Sequence, residues 1–202
     1  MIDGSHLRQA GALCRATLAR APRDGATWET PARDLEWSCR ETLAHILAAL
    51  SYYAVNLASR STVNRASGGA DPRVPIESLL DGLEGRATVL AHVVDSSPPD
   101  ARGSHPDGMA DPAGFAAMGC DEMLVHTFDV AGALGIDFAP GAELCVAVMA
   151  RLFPWAPEGE EPWPALLWCN GRAPLGDRAR QDRGWSWWPR PLAEWDGAPR
   201  TA

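Results

Sequence analysis

The chain contains no lysine: all 18 basic residues are arginine. That excludes a lysine nucleophile or a Schiff base, and it reads as a GC-rich coding bias more than as mechanism. Positive charge is in deficit, with a net charge of −8. Nucleic acid and anionic membrane surfaces both require clustered positive charge, so neither is expected as a partner. No Cys-x-x-Cys pair occurs among Cys14, Cys39, Cys120, Cys145 and Cys169. An odd number of scattered cysteines in apolar surroundings points to reduced thiols, not to a disulfide frame or a cysteine-based zinc site. No window approaches the roughly 18–20 apolar residues that a membrane span needs. The start, Met1-Ile2-Asp3-Gly4-Ser5-His6, lacks the basic-then-apolar pattern of a secretory signal. The expectation is a cytoplasmic protein. Glycine-rich phosphate loops and a serine nucleophile elbow are also missing.

What is present is an apolar, helix-forming chain of 202 residues, enough for one domain or one domain with an appendage. Leu7, Ala10, Cys14 and Leu18 give His6 to Arg20 a helical period. Pro22, Gly25 and Pro31 break the next stretch, which Trp28 and Trp37 are expected to pin to the core. Ser38 and Glu41 form a capping box, and an apolar run from Leu43 to Leu57 follows. A third helix is read from Ile76 to Val94 behind Pro75, between loops at Ser61 to Asp71 and Ser96 to Gly108. Asp111 as N-cap and Pro112 at the first helical position open a fourth, which Gly135 stops. A fifth runs from Glu143 to Phe153 and ends at Pro154. Short connections between these helices suggest antiparallel bundle packing.

Composition changes after Pro154. Residues 155–202 carry seven of the nine tryptophans, with many prolines and little helical pattern. Ala165 to Leu175 reads as a hairpin turning at Asn170-Gly171, and Trp185 to Trp188 as a further short strand. The expected architecture is mainly α. A helical bundle over 1–154 carries a small Trp-rich C-terminal piece, α+β or β, over 155–202. That piece would serve as a lid or subdomain.

Glu122, His126 and Asp129 stand out within this frame. Positions i, i+4 and i+7 stack on one helical face. Here that face lies in an apolar stretch where leucine would otherwise be expected. Buried unpaired groups of this kind cost several kcal/mol, and a divalent metal is the most economical compensation. Glu122 and His126 offer two ligands, and a third must come from another helix. His45 is well placed, and His92, set among Val89, Leu90, Val93 and Val94, is its rival. His45 has a plainer reading as a core imidazole bonded to backbone. Asp129 would be solvated, bond a neighbouring helix, or orient a ligand imidazole. His105, in a Pro/Gly loop, and His6 read as solvated, and the tryptophans as packing.

Two segments carry a family resemblance. Trp37-Ser38-Cys39-Arg40-Glu41-Thr42-Leu43-Ala44-His45 and Glu122-x-x-x-His126-x-x-Asp129 resemble motifs of the mycothiol-dependent maleylpyruvate isomerase family, within the wider DinB/YfiT-like superfamily. The tail, with Asn170-Gly171-Arg172 and Pro191 to Gly197, is similar to C-terminal segments of such proteins. The resemblance implies a DinB-like antiparallel four-helix bundle with a metal at one end. It assigns the ligands as His45, Glu122 and His126, with zinc the expected ion and mycothiol the possible thiol cofactor. It also implies an arginine in the C-terminal region, for which Arg172 and Arg190 are the candidates as holders of a substrate anion. The partners would then be a small-molecule thiol and a small electrophile, met by a monomer or homodimer. Two other readings stay open: a non-catalytic metal- or ligand-binding bundle, and a metal-assisted hydrolase.

Overall fold

The structure is a computed structural model that describes residues 1–64, 69–182 and 184–200. Residues 65–68 of the loop expected between Ser61 and Asp71 lie outside the described residues. The chain is mainly helical. Among the described residues the helices are α1 (Gly4–Leu18), α2 (Gly25–Trp28), α3 (Cys39–Ser59), α4 (Ile76–Ser96), α5 (Pro112–Ala133), α6 (Ala142–Leu152) and α7 (Pro162–Cys169). A two-stranded antiparallel hairpin, β1 (Gly103–His105) with β2 (Gly108–Ala110), precedes α5.

Local signals account for the ends of the two helices that matter most. At α3, Ser38 Oγ accepts from the Glu41 N–H and Glu41 accepts from the Ser38 N–H, so the capping box forms as expected. At α5, Asp111 accepts from the Gly114 N–H, and Pro112 sits where its missing donor costs nothing. The Ile136 N–H reaches back to the Ala131 carbonyl around Gly135, whose φ of +68° suits a residue without a side chain.

The bundle consists of α1, α3, α4 and α5. Each of α1 and α3 packs on both α4 and α5. The α1–α4 pair is antiparallel: the Gly4 N–H bonds Asp95 near the end of α4, while Arg15 bonds Asp81 near its start. The α3–α5 pair is antiparallel too, with Cys39 against Val130 and Tyr53 against Glu122. Helix α5 is buried almost all round. At its middle a Cβ on Gly119 would press against Leu7 and Leu90 at under 3 Å, so glycine there lets helices approach closely. With its apolar faces enclosed by three other helices, α5 is a rigid base for the polar groups near its C-terminal end.

The tail departs from expectation. Ala165 to Cys169 is not a strand but the body of α7, begun by Pro162 at its first turn. Asn170-Gly171 is not a hairpin turn but the end of that helix. The Arg172 N–H bonds the Leu167 carbonyl, the Gly171 N–H bonds the Trp168 carbonyl, and Gly171 has φ +60°. This is a Schellman motif. Asn-Gly satisfies a helix C-terminus as well as a type I′ turn, and a five-residue apolar run does not distinguish the two. Trp185 to Trp188 forms no strand either. Its backbone is tied singly, Ser186 N–H to Arg200 and Trp188 N–H to Leu152. Pro189 and Pro191 remove the donors a ladder would need. The buried Arg151 holds this strap by donating to the carbonyls of Trp188 and Pro189 and to Asp111.

Candidate metal centre

Helix α5 presents Glu122 and His126 one turn apart, and α3 presents His45 opposite them. The antiparallel pairing of these helices brings the three together. One ligand atom from each can be chosen so that all lie within 4.8 Å of one another, and this is the group among the described residues that could hold a metal ion. Glu122 Oε2 is 3.3 Å from Nε2 of His45 and 3.3 Å from Nε2 of His126. Neither approach has hydrogen-bond geometry, so Oε2 is a buried oxygen without a donor. An orphaned carboxylate oxygen in the interior is costly. Ligands at about 2.0–2.1 Å from a tetrahedral ion are separated by roughly 3.3–3.4 Å. The residues therefore fit a zinc-like ion in donor type, spacing and unmet bonding.

His92 is on the exposed face of α4 and takes no part. His6 caps the start of α1 with Asp3. His105 is not solvated as expected. Its side chain is 8% exposed, within 6.3 Å of the rings of Tyr52, Tyr53 and Trp187. The β1–β2 hairpin folds it inward, and burial lowers its pKa against the opposing pull of Asp107 and Glu122. The Pro/Gly composition of its loop indicated a turn but not which way the side chain faces.

Surrounding groups set the orientation of these three side chains. Asp129, 1% exposed, lies 3.2 Å from His126 Nδ1. That contact places the Nδ1 proton toward Asp129 and leaves Nε2 facing Glu122. The solvated reading of Asp129 is thereby excluded. Arg172, delivered by the turn after α7, grips Asp129 through Nε at 3.1 Å and Nη2 at 3.0 Å. On Glu122, the Tyr53 hydroxyl donates to Oε1 at 3.0 Å. One carboxylate oxygen is thus occupied, and the other is left without a donor.

The electrostatics follow. Burial would raise the Glu122 carboxyl, but the imidazoles of His126 and His45 outweigh it and hold the group below the usual carboxylate range. Burial would lower His126, but the hydrogen bond to Asp129 and the negative charge of the adjacent Glu122 raise it to about 9. Asp129 is likewise held low, by His126 and Arg172 against burial. Asp121, beside Glu122, is pushed up to about 7 by burial, although Asn170 and Trp187 each donate to it at 3.0 Å.

No protein-family model matches this chain, and no curated protein matches it closely enough to name a relative. The two findings that stand are a mainly helical bundle and a His-Glu-His triad within it.

The candidate arginines separate. Arg172 lines a chamber of about 170 Å³ together with Glu122 and His126, though its guanidinium fork is taken by Asp129. Arg190 lies elsewhere, packed against Gly108 with its guanidinium 5.6 Å from the Trp188 ring. Trp37 does not pin its loop into the core. It is 44% exposed, with its ring centroid 4.7 Å from that of His45. Trp28 is the core anchor there. Tyr53 and Asp121 went unrecognised in the sequence, and the contact of Trp37 with His45 was not foreseen. For Tyr53 a signal existed: it is eight residues beyond His45, on the same helical face.

Proposed function

We propose that the chain is a metal-dependent, thiol-using enzyme, similar to mycothiol-dependent isomerases or S-transferases, acting on a small electrophilic molecule. The observation that carries this is the donorless Glu122 Oε2, set 3.3 Å from two imidazole nitrogens and bordering a chamber. His45, Glu122 and His126 would hold a divalent ion, with zinc first in fit. When bound, such an ion lowers the pKa of a thiol or water at its open position.

The chain's own residues do the positioning. Asp129 fixes the tautomer and tilt of His126, Arg172 anchors Asp129, and Tyr53 restricts Glu122 to one free oxygen. No cysteine belongs to the triad, all five thiols are buried, and burial pushes Cys14, Cys145 and Cys169 up to about 12. A thiol nucleophile must therefore arrive on a second molecule, which favours a thiol cofactor over an internal nucleophile. Release of that thiol after bond rotation in the electrophile gives isomerisation, and its retention gives S-transfer.

Thermal denaturation with zinc, with mycothiol and with both tests the reading. Mycothiol should raise Tm when zinc is loaded and should do nothing after chelation or in His45→Ala. A rise independent of zinc sinks the proposal. Zinc uptake with no response to mycothiol points instead to metal-assisted hydrolysis or to a binding protein.

A further inference from the structure

Two cavities adjoin beside the triad. The inner chamber of about 170 Å³ is lined by Glu122, His126, Asp121 and Trp187. The outer cleft, about 420 Å³, is lined by Trp37, Glu36, Arg180 and Asp182. Arg172 and Trp185 line both. Trp37, in the lining of the cleft, has its ring centroid 4.7 Å from that of His45 and 6.5 Å from that of His126, so the cleft borders the imidazoles of the triad through that indole.

The two volumes set different limits. At about 30 Å³ per water, the inner chamber holds roughly six waters, less than the roughly 300–1,000 Å³ of a whole small-ligand site. The outer cleft falls within that range. Trp185, at the junction, is held in place. Its ring lies 6.1 Å from Phe153 and 6.1 Å from Trp187, whose indole N–H bonds the buried Asp121. Gly171 packs beside it: a Cβ there would stand 3.0 Å from the Trp185 ring, so the indole takes its place because that residue has no side chain. Both lining guanidinia already have partners, and Asp34, Glu36 and Asp182 add negative charge to the outer cleft. Arg172 is held by Asp129, and Arg180 pairs with Asp34 and the Gly171 carbonyl.

We infer that this site takes a two-part ligand: a slim arm reaching the triad through the inner chamber, and a flat-faced, non-anionic body against Trp37 in the outer cleft. Trp185 is the specificity-determining residue that limits the width of the arm. Indole faces suit a ring or a flat apolar surface, and a braced indole selects by width. The inference rests on the metal reading for the end-point of the arm, and on the cavities alone for the body.

The test uses cobalt(II)-loaded full-length protein, with thiolate-to-cobalt charge-transfer absorption as the readout. The probes are ethanethiol, 2-phenylethanethiol and 2-methyl-2-propanethiol. The wild type should bind 2-phenylethanethiol most tightly and the branched thiol at least tenfold more weakly than ethanethiol. Trp185→Ala, or Trp185→Phe should the alanine variant misfold, should narrow the branched-to-straight ratio at least threefold. Trp37→Ala should weaken 2-phenylethanethiol and spare ethanethiol. An unchanged ratio in the Trp185 variants, or equal binding of branched and straight thiols by the wild type, overturns the inference. If cobalt fails to bind, the metal reading falls, and saturation-transfer NMR with 2-phenylethanol on the metal-free protein decides the rest. A phenyl-ring saturation signal that disappears in Trp37→Ala supports the body subsite, and one that persists unchanged refutes it.

Discussion

Replacing Asp129 with asparagine keeps the shape of the side chain and removes its charge. In the native structure this carboxylate meets His126 Nδ1 at 3.2 Å and the Arg172 fork at 3.0–3.1 Å, at 1% exposure. An asparagine can still accept from Nδ1 through its carbonyl, but its amide N–H groups then face a guanidinium that can only donate. Breaking a fully buried ion pair costs about 3–5 kcal/mol. The Arg172 side chain is 17% exposed, so water relieves part of that cost. We expect a loss of roughly 2–3 kcal/mol, which for a chain of this length is a fall in Tm of roughly 5–10 °C. Zinc affinity should fall about 10–100-fold, because the imidazole loses its orienting anion. Competition against a chromophoric chelator measures that affinity, and calorimetry the stability. Arg172→Met should lower stability by a similar amount, and the double variant should add little to either single one, since all three break the same pair. An Asp129→Asn protein that binds zinc within twofold of wild type would refute the orienting role.

His45→Ala should abolish stoichiometric zinc binding while His92→Ala retains it, as read by elemental analysis of the purified variants. Chelation should lower Tm by several degrees and leave far-UV dichroism native, since the four-helix core is built without the ion; complete unfolding would mean a structural site. In the metal-free protein the His126 pKa is raised to about 9, from an unfolded value of about 6.5. Its stabilisation is therefore fully present below pH 6.5 and is lost as pH rises through about 9. Tm of chelated protein should decline across that window, and zinc loading should flatten the decline, because the ion takes the place of the proton; a flat profile in the chelated protein counts against the Glu122–His126–Asp129 arrangement.

How much of this protein was legible beforehand depends on whether the signal is local. Ser38 with Glu41, Asp111 with Pro112, and Gly135 mark helix ends through bonds within one turn, and those ends form as read. The stacking of Glu122, His126 and Asp129 on one face follows from helical period alone. The choice of His45 over His92 rested on resemblance, and it took the α3–α5 pairing to place His45 beside Glu122. The tail shows the limit. Asn170-Gly171 is compatible with a hairpin or a Schellman turn, and only the packing of α7 on α6 selects the helix. That selection has consequences for the site, because the turn is what delivers Arg172 to Asp129, 43 residues earlier in the chain. Tyr53 on Glu122, and Asn170 and Trp187 on Asp121, are likewise contacts between distant segments. A sequence determines local backbone preference and periodicity through interactions a few residues long. Which polar groups are buried together, and so which oxygen is left without a donor, is decided only when the helices close on one another and exclude water.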